Sequence, residues 1–238
     1  MKKIIKSQLE KLGIRLNFIK NLWYLDSFFI LKKLTNKTNP VIFDIGACDG
    51  SSVQEFKKIF PDAVIYSFEP YPESYNGLAK LAEKYPDVYV YNLALSNTNG
   101  TMNFFVNKSK ATNSLLKPLL THSFIDEYIS IEENIRVTTK KIDTFLENYK
   151  INEIDILKID VQGGELLVLE GAQETLRNKK VKLIYSEIWL IEGYKGQPLY
   201  HDIAAYLATF GYLPFGIYNM HYRKDGHFLW GDAIFYLK

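Results

Sequence analysis

From Val41 onward the chain repeats one unit: a short run of apolar, mostly β-branched residues, a turn carrying glycine or an acid, then a stretch with helical spacing. "VIFDI" (41–45) leads into a helical stretch over 51–60, and "VIYSFE" (64–69) into one over 72–85 opened by Pro72 and Glu73. "IDILKIDV" (154–161) precedes a helix over about 164–178, and "VKLIYSEI" (181–188) precedes one near 199–210. Strand runs this apolar are buried on both faces, which requires helices on both sides of a parallel sheet. The pattern therefore predicts an α/β chain with a doubly wound, mainly parallel sheet. No helical stretch separates "YLPFGIY" (212–218) from "DAIFYLK" (232–238), which predicts an antiparallel hairpin at one edge. "VYVYNLAL" (88–95) and "TMNFFV" (101–106), joined through Asn97, Asn99 and Gly100, read as a second hairpin, followed by "IRVTTK" (135–140) and a helix over 142–149.

The chain has 238 residues, 47% of them hydrophobic, enough for one sizeable core over 40–238. Its single cysteine, Cys48, excludes an internal disulfide, and no signal-peptide pattern opens the chain, so a cytoplasmic protein is expected. Residues 1–40 hold nine Lys/Arg and two acids, leaving twenty basic and twenty-five acidic residues in the rest. A mildly acidic body argues against nucleic acid as a partner. The N-terminal helical segment, 1–39, has apolar residues at helical spacing with lysines between them. It is expected to cover the domain or to meet a second copy in a homo-oligomer, and to be dispensable for ligand binding. Peripheral contact of its basic face with the inner side of a membrane is the alternative.

In an open α/β sheet, ligands sit beyond the carboxyl ends of the strands, so the residues there are the candidate site. They are Asp44, Gly46, Asp49 and Gly50 after the first strand, Glu69 and Pro70 after the second, Asn92 after the third, Asp160 after "IDILKI" and Glu187 in the next. Gly46 permits a tight turn and close backbone approach, and Gly50 relieves crowding at the entry to the helix. Glu69 follows Asp44 by the interval of one strand–helix–strand unit, which places a carboxylate where it accepts the hydroxyl hydrogens of a ribose. A dinucleotide loop wants G-x-G-x-x-G; here the middle glycine is missing and Asp49 repels phosphate. The loop suits a cationic or zwitterionic nucleoside such as S-adenosylmethionine.

"FDIGACDGSSVQEFKKIFPDAVIYSFEPYPESY", "NLALSNTNG", "LKIDVQGGELLVLEGA" and "LWGDAIFYL", in this order over residues 40–238, resemble the FkbM-type methyltransferase family. The resemblance implies a seven-stranded sheet of Rossmann-like methyltransferase type with an antiparallel terminal hairpin, S-adenosylmethionine as cofactor, and O-methylation of sugars or secondary metabolites. It also implies that Asp44, Gly46 and Gly50 line the methionine part, that Glu69 binds the ribose, and that Asn92 lies near adenine. The family has glutamate where this chain has Gln162.

An alcohol is not ionised at neutral pH, so a base or a metal must handle its proton. Asp160 and Glu187 are the candidates for catalysis, and with Glu165 they are candidate ligands for Mg²⁺; the alternative for Glu165 and Asp160 is capping of the helix that starts near Gly164. None of His122, His201, His221 and His227 has metal-ligand spacing. Ser114 and Thr121 fall in a long loop, 107–133, expected over the acceptor, and Trp189 and Tyr194 are the aromatic residues best placed to meet it. Two other classes compete with an O-methyltransferase: a nicotinamide-dependent oxidoreductase, and a catalytically idle member of the same fold acting as an assembly partner.

Overall fold

The structure is a computed structural model that describes residues 25–119 and 130–238. The expected helices within 1–24 and His122 lie outside the described residues. Helix α1 (Ser27–Thr35) begins where the Asp26 side chain accepts the Phe29 N–H at 3.0 Å. There follow β1 (Val41–Ile45), α2 (Ser51–Ile59), β2 (Val64–Phe68), α3 (Pro72–Ala82), β3 (Val88–Tyr91), β4 (Ala94–Leu95) and β5 (Gly100–Asn107). After them come β6 (Ile131–Lys140), α4 (Ile142–Tyr149), β7 (Ile154–Ile159), α5 (Glu165–Glu170) and α6 (Gln173–Arg177). The chain closes with β8 (Val181–Trp189), α7 (Tyr200–Ala208), β9 (Tyr212–Tyr222) and β10 (Phe228–Leu237).

Seven strands form the main sheet in the order β3-β2-β1-β7-β8-β10-β9. The first five are parallel, and β10 runs antiparallel to both β8 and β9, as the missing helix before it predicts. Strand order reverses between β1 and β7, and the crevice there is where such sheets take ligands.

Register decides which residues meet. On one face Ile42 pairs with Ile65 and Ile156, and Ile156 with Leu183. One pleat further along the strands, Asp44 pairs with Ser67 and Lys158, and Lys158 with Tyr185. This face is thus apolar in its lower half, packed on Ile30, Leu31, Val53, Phe56 and Leu78 of α1, α2 and α3, and polar along its ligand-facing edge. The opposite face buries Phe43, Ile45, Phe68, Leu157 and Ile159 against Phe145, Val168, Leu176 and Leu207.

Three expectations change. The run 88–95 breaks at Asn92, and β4 joins a separate three-stranded sheet of order β4-β6-β5. Consequently 88–95 and 101–106 form no hairpin; β4 and β5 lie on opposite sides of β6, because β6 offers a long partner to both. The helix expected over 164–178 is two helices, broken at Gly171, where a β-carbon would overlap the Ser96 carbonyl oxygen. Finally, residues 27–35 pack on the domain as the expected cover, with Ile30 and Leu31 buried in its core, but Phe28 also lines the cavity, where no part of this segment is expected. Among the described residues no helix is long and apolar enough to cross a membrane.

Candidate active site

The loop after β1 is tied to the end of β2, because Gly46 N–H and Ala47 N–H both donate to the Phe68 carbonyl, at 3.0 and 3.1 Å. Gly46 has φ 78°, and a β-carbon there would overlap the Asp160 carbonyl oxygen. Only glycine lets β1 and the β7 turn approach this closely. Gly50, at φ 82°, abuts Leu78 and Leu81 of α3, so it serves helix packing, and it is not among the residues that line the cavity. Asp49 does line the cavity, and its Oδ1 accepts the Ser51 N–H at 3.0 Å, opening α2.

Glu69, at the tip of β2, is held by one backbone donor per oxygen: Cys48 N–H to Oε2 at 2.9 Å and Tyr71 N–H to Oε1 at 2.8 Å. Burial outweighs these donors and pushes its carboxyl up to about 7. Asn92 supports this turn from behind, its Nδ2 donating to the carbonyls of Glu69 and Pro70 at 2.9 and 3.0 Å. Both amide hydrogens of Asn92 are thus donated to this turn, and its side chain is not among those that line the cavity.

A cavity of about 400 Å³ runs from Glu69, Pro70 and Leu95 on the β2 side, across Gly46 and Asp160, to Lys158, Tyr185, Asp232 and Phe28 on the other. Asp160 follows β7, its N–H donating to the Ile45 carbonyl at 3.0 Å, and its side chain is 41% exposed. Gln162 Nε2 donates to Asp160 Oδ1 at 3.0 Å and to Glu187 Oε2 at 2.9 Å. Gln162 also takes Ser114 Oγ on its carbonyl at 2.7 Å, at a left-handed φ of 56°. An amide has two hydrogens for two carboxylates; a glutamate here would place a third negative charge between them.

Glu187 lies inside β8, buried and behind Gln162, and accepts Trp189 Nε1 at 2.9 Å. Burial first, then the charge of Asp160, push its carboxyl well above the ordinary range. It is not in the cavity wall, so of the two catalytic candidates only Asp160 lines the cavity. Glu165 turns back on its own loop, Oε1 accepting Val161 N–H and Gly163 N–H, each at 3.1 Å. Burial pushes it to about 7 against those donors. Among the described residues no three His, Cys, Asp or Glu side chains gather as a metal site. Glu165 Oε1 and Glu187 Oε2 each already accept two N–H donors, so Asp160, Glu165 and Glu187 do not present a shared set of free oxygens for Mg²⁺.

Trp189 and Tyr194, expected at the acceptor, are buried, with Tyr194 OH 2.8 Å from the Thr112 carbonyl. His201 is exposed, His221 stacks on Trp230 at 4.7 Å, and His227 pairs with Asp225. Of the 107–133 loop, Lys110, Ala111, Asn113 and Leu115 line the cavity, while 120–129 lie outside the described residues.

The reading of strand ends missed Lys158, Tyr185 and Asp232. Lys158 Nζ lies 3.0 Å from Asp44 Oδ1, 3.5 Å from the Gly46 carbonyl and 3.7 Å from Asp160 Oδ2. Burial acts to lower its pKa, but Asp44 and then Asp160 more than reverse this, and the ammonium is held above its ordinary range. Tyr185 OH donates to Asp232 Oδ2 at 2.8 Å and meets Ser27 Oγ at 3.0 Å. Asn219, in a β9 bulge at φ 47°, donates to the same Asp232 oxygen at 2.7 Å. One signal was available: a lysine inside the strand run "IDILKI", expected to be buried in the middle of the sheet, must find a partner there.

A sheet that reverses order beside a glycine loop, with a backbone-anchored carboxylate at the tip of the next strand, defines an α/β protein of the Rossmann-like methyltransferase type. The Methyltransferase FkbM domain matches residues 44–214, and the chain belongs to that family. The 2-O-methyltransferase NoeI of Sinorhizobium fredii is 29% identical over 184 residues, 74% of this chain and 74% of that protein. The hexuronic acid methyltransferase AglP of Haloferax volcanii is 25% identical over 117 residues, 49% of this chain and 44% of its own. The structure of magnesium protoporphyrin IX methyltransferase from Synechocystis PCC 6803 has a TM-score of 0.47 at 11% identity, covering 100% of this chain and 97% of that one.

Proposed function

We propose that this methyltransferase uses S-adenosylmethionine to methylate a hydroxyl of a sugar, glycan precursor or secondary metabolite. The observation that carries the cofactor assignment is Glu69: each oxygen is fixed by one backbone N–H, leaving each a lone pair for one of two neighbouring hydroxyls, in the wall of the same cavity as Gly46. The relatives named for 2-O-methylation and for a hexuronic acid support oxygen as the target atom and a sugar as the acceptor class. A nicotinamide dinucleotide is disfavoured because Asp49 stands in the cavity wall where a pyrophosphate would lie. An idle assembly partner is disfavoured by Asp160, a carboxylate kept in the wall of an open cavity.

The residues divide the work. Glu69 orients the nucleoside, and Gly46 brings the backbone of β1 against the β7 turn. S-adenosylmethionine supplies a methyl group already activated on a sulfonium. Asp160 is the group that receives the acceptor proton: Gln162 fixes one of its oxygens, and the other lies toward Lys158 at a distance too long for a full hydrogen bond. Gln162, Glu187 and Trp189 form the frame that keeps Asp160 in place. The test is calorimetric titration of S-adenosylhomocysteine into the wild type and Glu69→Ala. Loss of a carboxylate that accepts two hydroxyl hydrogens is expected to weaken binding by about 2–4 kcal/mol. Unchanged affinity would overturn the cofactor assignment.

A further inference from the structure

The charge balance of the cavity is uneven. Among the described residues in its wall, the carboxylates of Asp49, Glu55, Glu69, Asp160 and Asp232 face two lysines. Lys110 of that pair is occupied with Glu73 outside the cavity. Lys158 is therefore the cation at the cavity floor. It sits between two carboxylates, Asp44 at 3.0 Å and Asp160 at 3.7 Å, and beside the carbonyl of Gly46, a residue of the cavity wall. Asp44 is fully buried, and Ser52 Oγ donates to its other oxygen at 2.6 Å.

A buried lysine costs more to desolvate than an apolar residue of its size, and pairing with the fully buried Asp44 offsets part of that cost without requiring that the charge stand in the cavity wall. The ligand gives a reason. S-adenosylmethionine carries one positive charge that its product, S-adenosylhomocysteine, has lost, and that charge is already declining in the transition state of methyl transfer. Left uncompensated, Asp160 in the wall and Asp44 buried beneath it would hold the cationic ground state more firmly than the transition state, and such binding does not accelerate the reaction.

Resting on the cofactor assignment above, we propose that Lys158 is a specificity-determining counter-charge. By neutralising Asp160 in the cavity wall and Asp44 beneath it, Lys158 limits the preference of the site for S-adenosylmethionine over S-adenosylhomocysteine. Lys158 does not touch the reacting atoms; it acts through the field at the sulfur and by keeping Asp44 and Asp160 in place.

The two ligands differ only at sulfur, so the ratio of their affinities cancels a general loss of fold or of ribose binding. Both are titrated calorimetrically into the wild type, Lys158→Gln, Asp44→Asn and the double variant, with acceptor absent. Glutamine keeps a donor for Asp44 while removing the charge. Lys158→Gln is expected to raise the preference for S-adenosylmethionine about ten-fold, and Asp44→Asn to lower it about ten-fold, the size of a single charge acting across several ångströms at intermediate dielectric. The double variant returns to within about three-fold of the wild type, as compensating charges should. A ratio that stays within about two-fold of wild type in both single variants overturns the proposal. If Lys158→Gln does not fold, Asp44→Asn and the double variant decide it, and an unmoved ratio in Asp44→Asn is the overturning result. Failure of the wild type to bind either ligand would defeat the cofactor assignment itself, whereas binding of both with an unmoved ratio defeats only the role given to Lys158.

Discussion

The two sides of the cavity are built differently. On the β2 side, Gly46, Cys48, Glu69 and Tyr71 come from one strand–helix–strand unit, and the carboxylate is oriented by backbone N–H groups alone. On the β7 to β10 side, Lys158, Asp160, Gln162, Tyr185, Asn219 and Asp232 come from four strands and their turns and orient one another through side chains, with Ser27 joining from α1. A backbone-built half tolerates many side chains provided the turn forms. A half built from side chains depends on each member, because a buried partner left alone loses the hydrogen bonds that offset its desolvation. The first half suits a ligand common to a fold, and the second a charge pattern particular to one reaction.

The largest expected effect separates the halves by chemistry. Asp160→Asn keeps the shape and the Gln162 contact but removes the charge, and turnover of a hydroxyl acceptor is expected to fall about 10²–10⁴-fold with S-adenosylhomocysteine affinity nearly constant. Equal loss of both would show that the two halves are one unit. Wild-type turnover is expected to survive EDTA, since the donor set does not fit a divalent cation; loss restored by Mg²⁺ would contradict that.

Gly46→Ala tests the backbone-built half. With φ at 78° and the Asp160 carbonyl in the way, the substitution is expected to destabilise the protein by about 2–4 kcal/mol in denaturant unfolding and to abolish cofactor binding. A stable, ligand-binding Gly46→Ala protein would show that the close approach of β1 and the β7 turn is not needed.

A smaller effect follows from Glu69. Its folded carboxyl stands at about 7 against an ordinary 4.5, so between these values the folded protein holds a proton that the unfolded chain has released. Stability of the ligand-free protein is therefore expected to fall as pH rises through that window, and Glu69→Gln to flatten part of the slope. Affinity for S-adenosylhomocysteine should move the other way, rising toward pH 7 as the hydroxyl-accepting carboxylate ionises. A pH-independent affinity would mean that Glu69 is ionised throughout. The smallest effect concerns α1. Phe28 meets Phe56 and Tyr185 edge-on, with centroids 5.2 and 5.9 Å apart, and lines the cavity. Phe28→Ala is expected to weaken S-adenosylhomocysteine binding by about 1 kcal/mol in the same titration. No change would restore α1 to the role of a distant cover.

What the amino-acid sequence determined by itself is local. Alternating apolar runs and helical spacing marked the parallel sheet, the absent helix before β10 marked the terminal hairpin, and D-x-G with a glutamate one unit later marked the ligand loop. Each is a pattern within about thirty residues, where backbone geometry and periodicity act directly. Tertiary structure decided the rest. Whether Asn92 faces a ligand or braces a turn, whether Gly50 lines a cavity or packs on Leu81, and whether Glu165 points outward or caps its own loop depend on contacts between distant segments. The row Ser67–Asp44–Lys158–Tyr185 exists only because four strands align in one register. Register is fixed by the burial of the apolar pleat beneath that row, an energy shared by the whole sheet and carried by none of its strands alone.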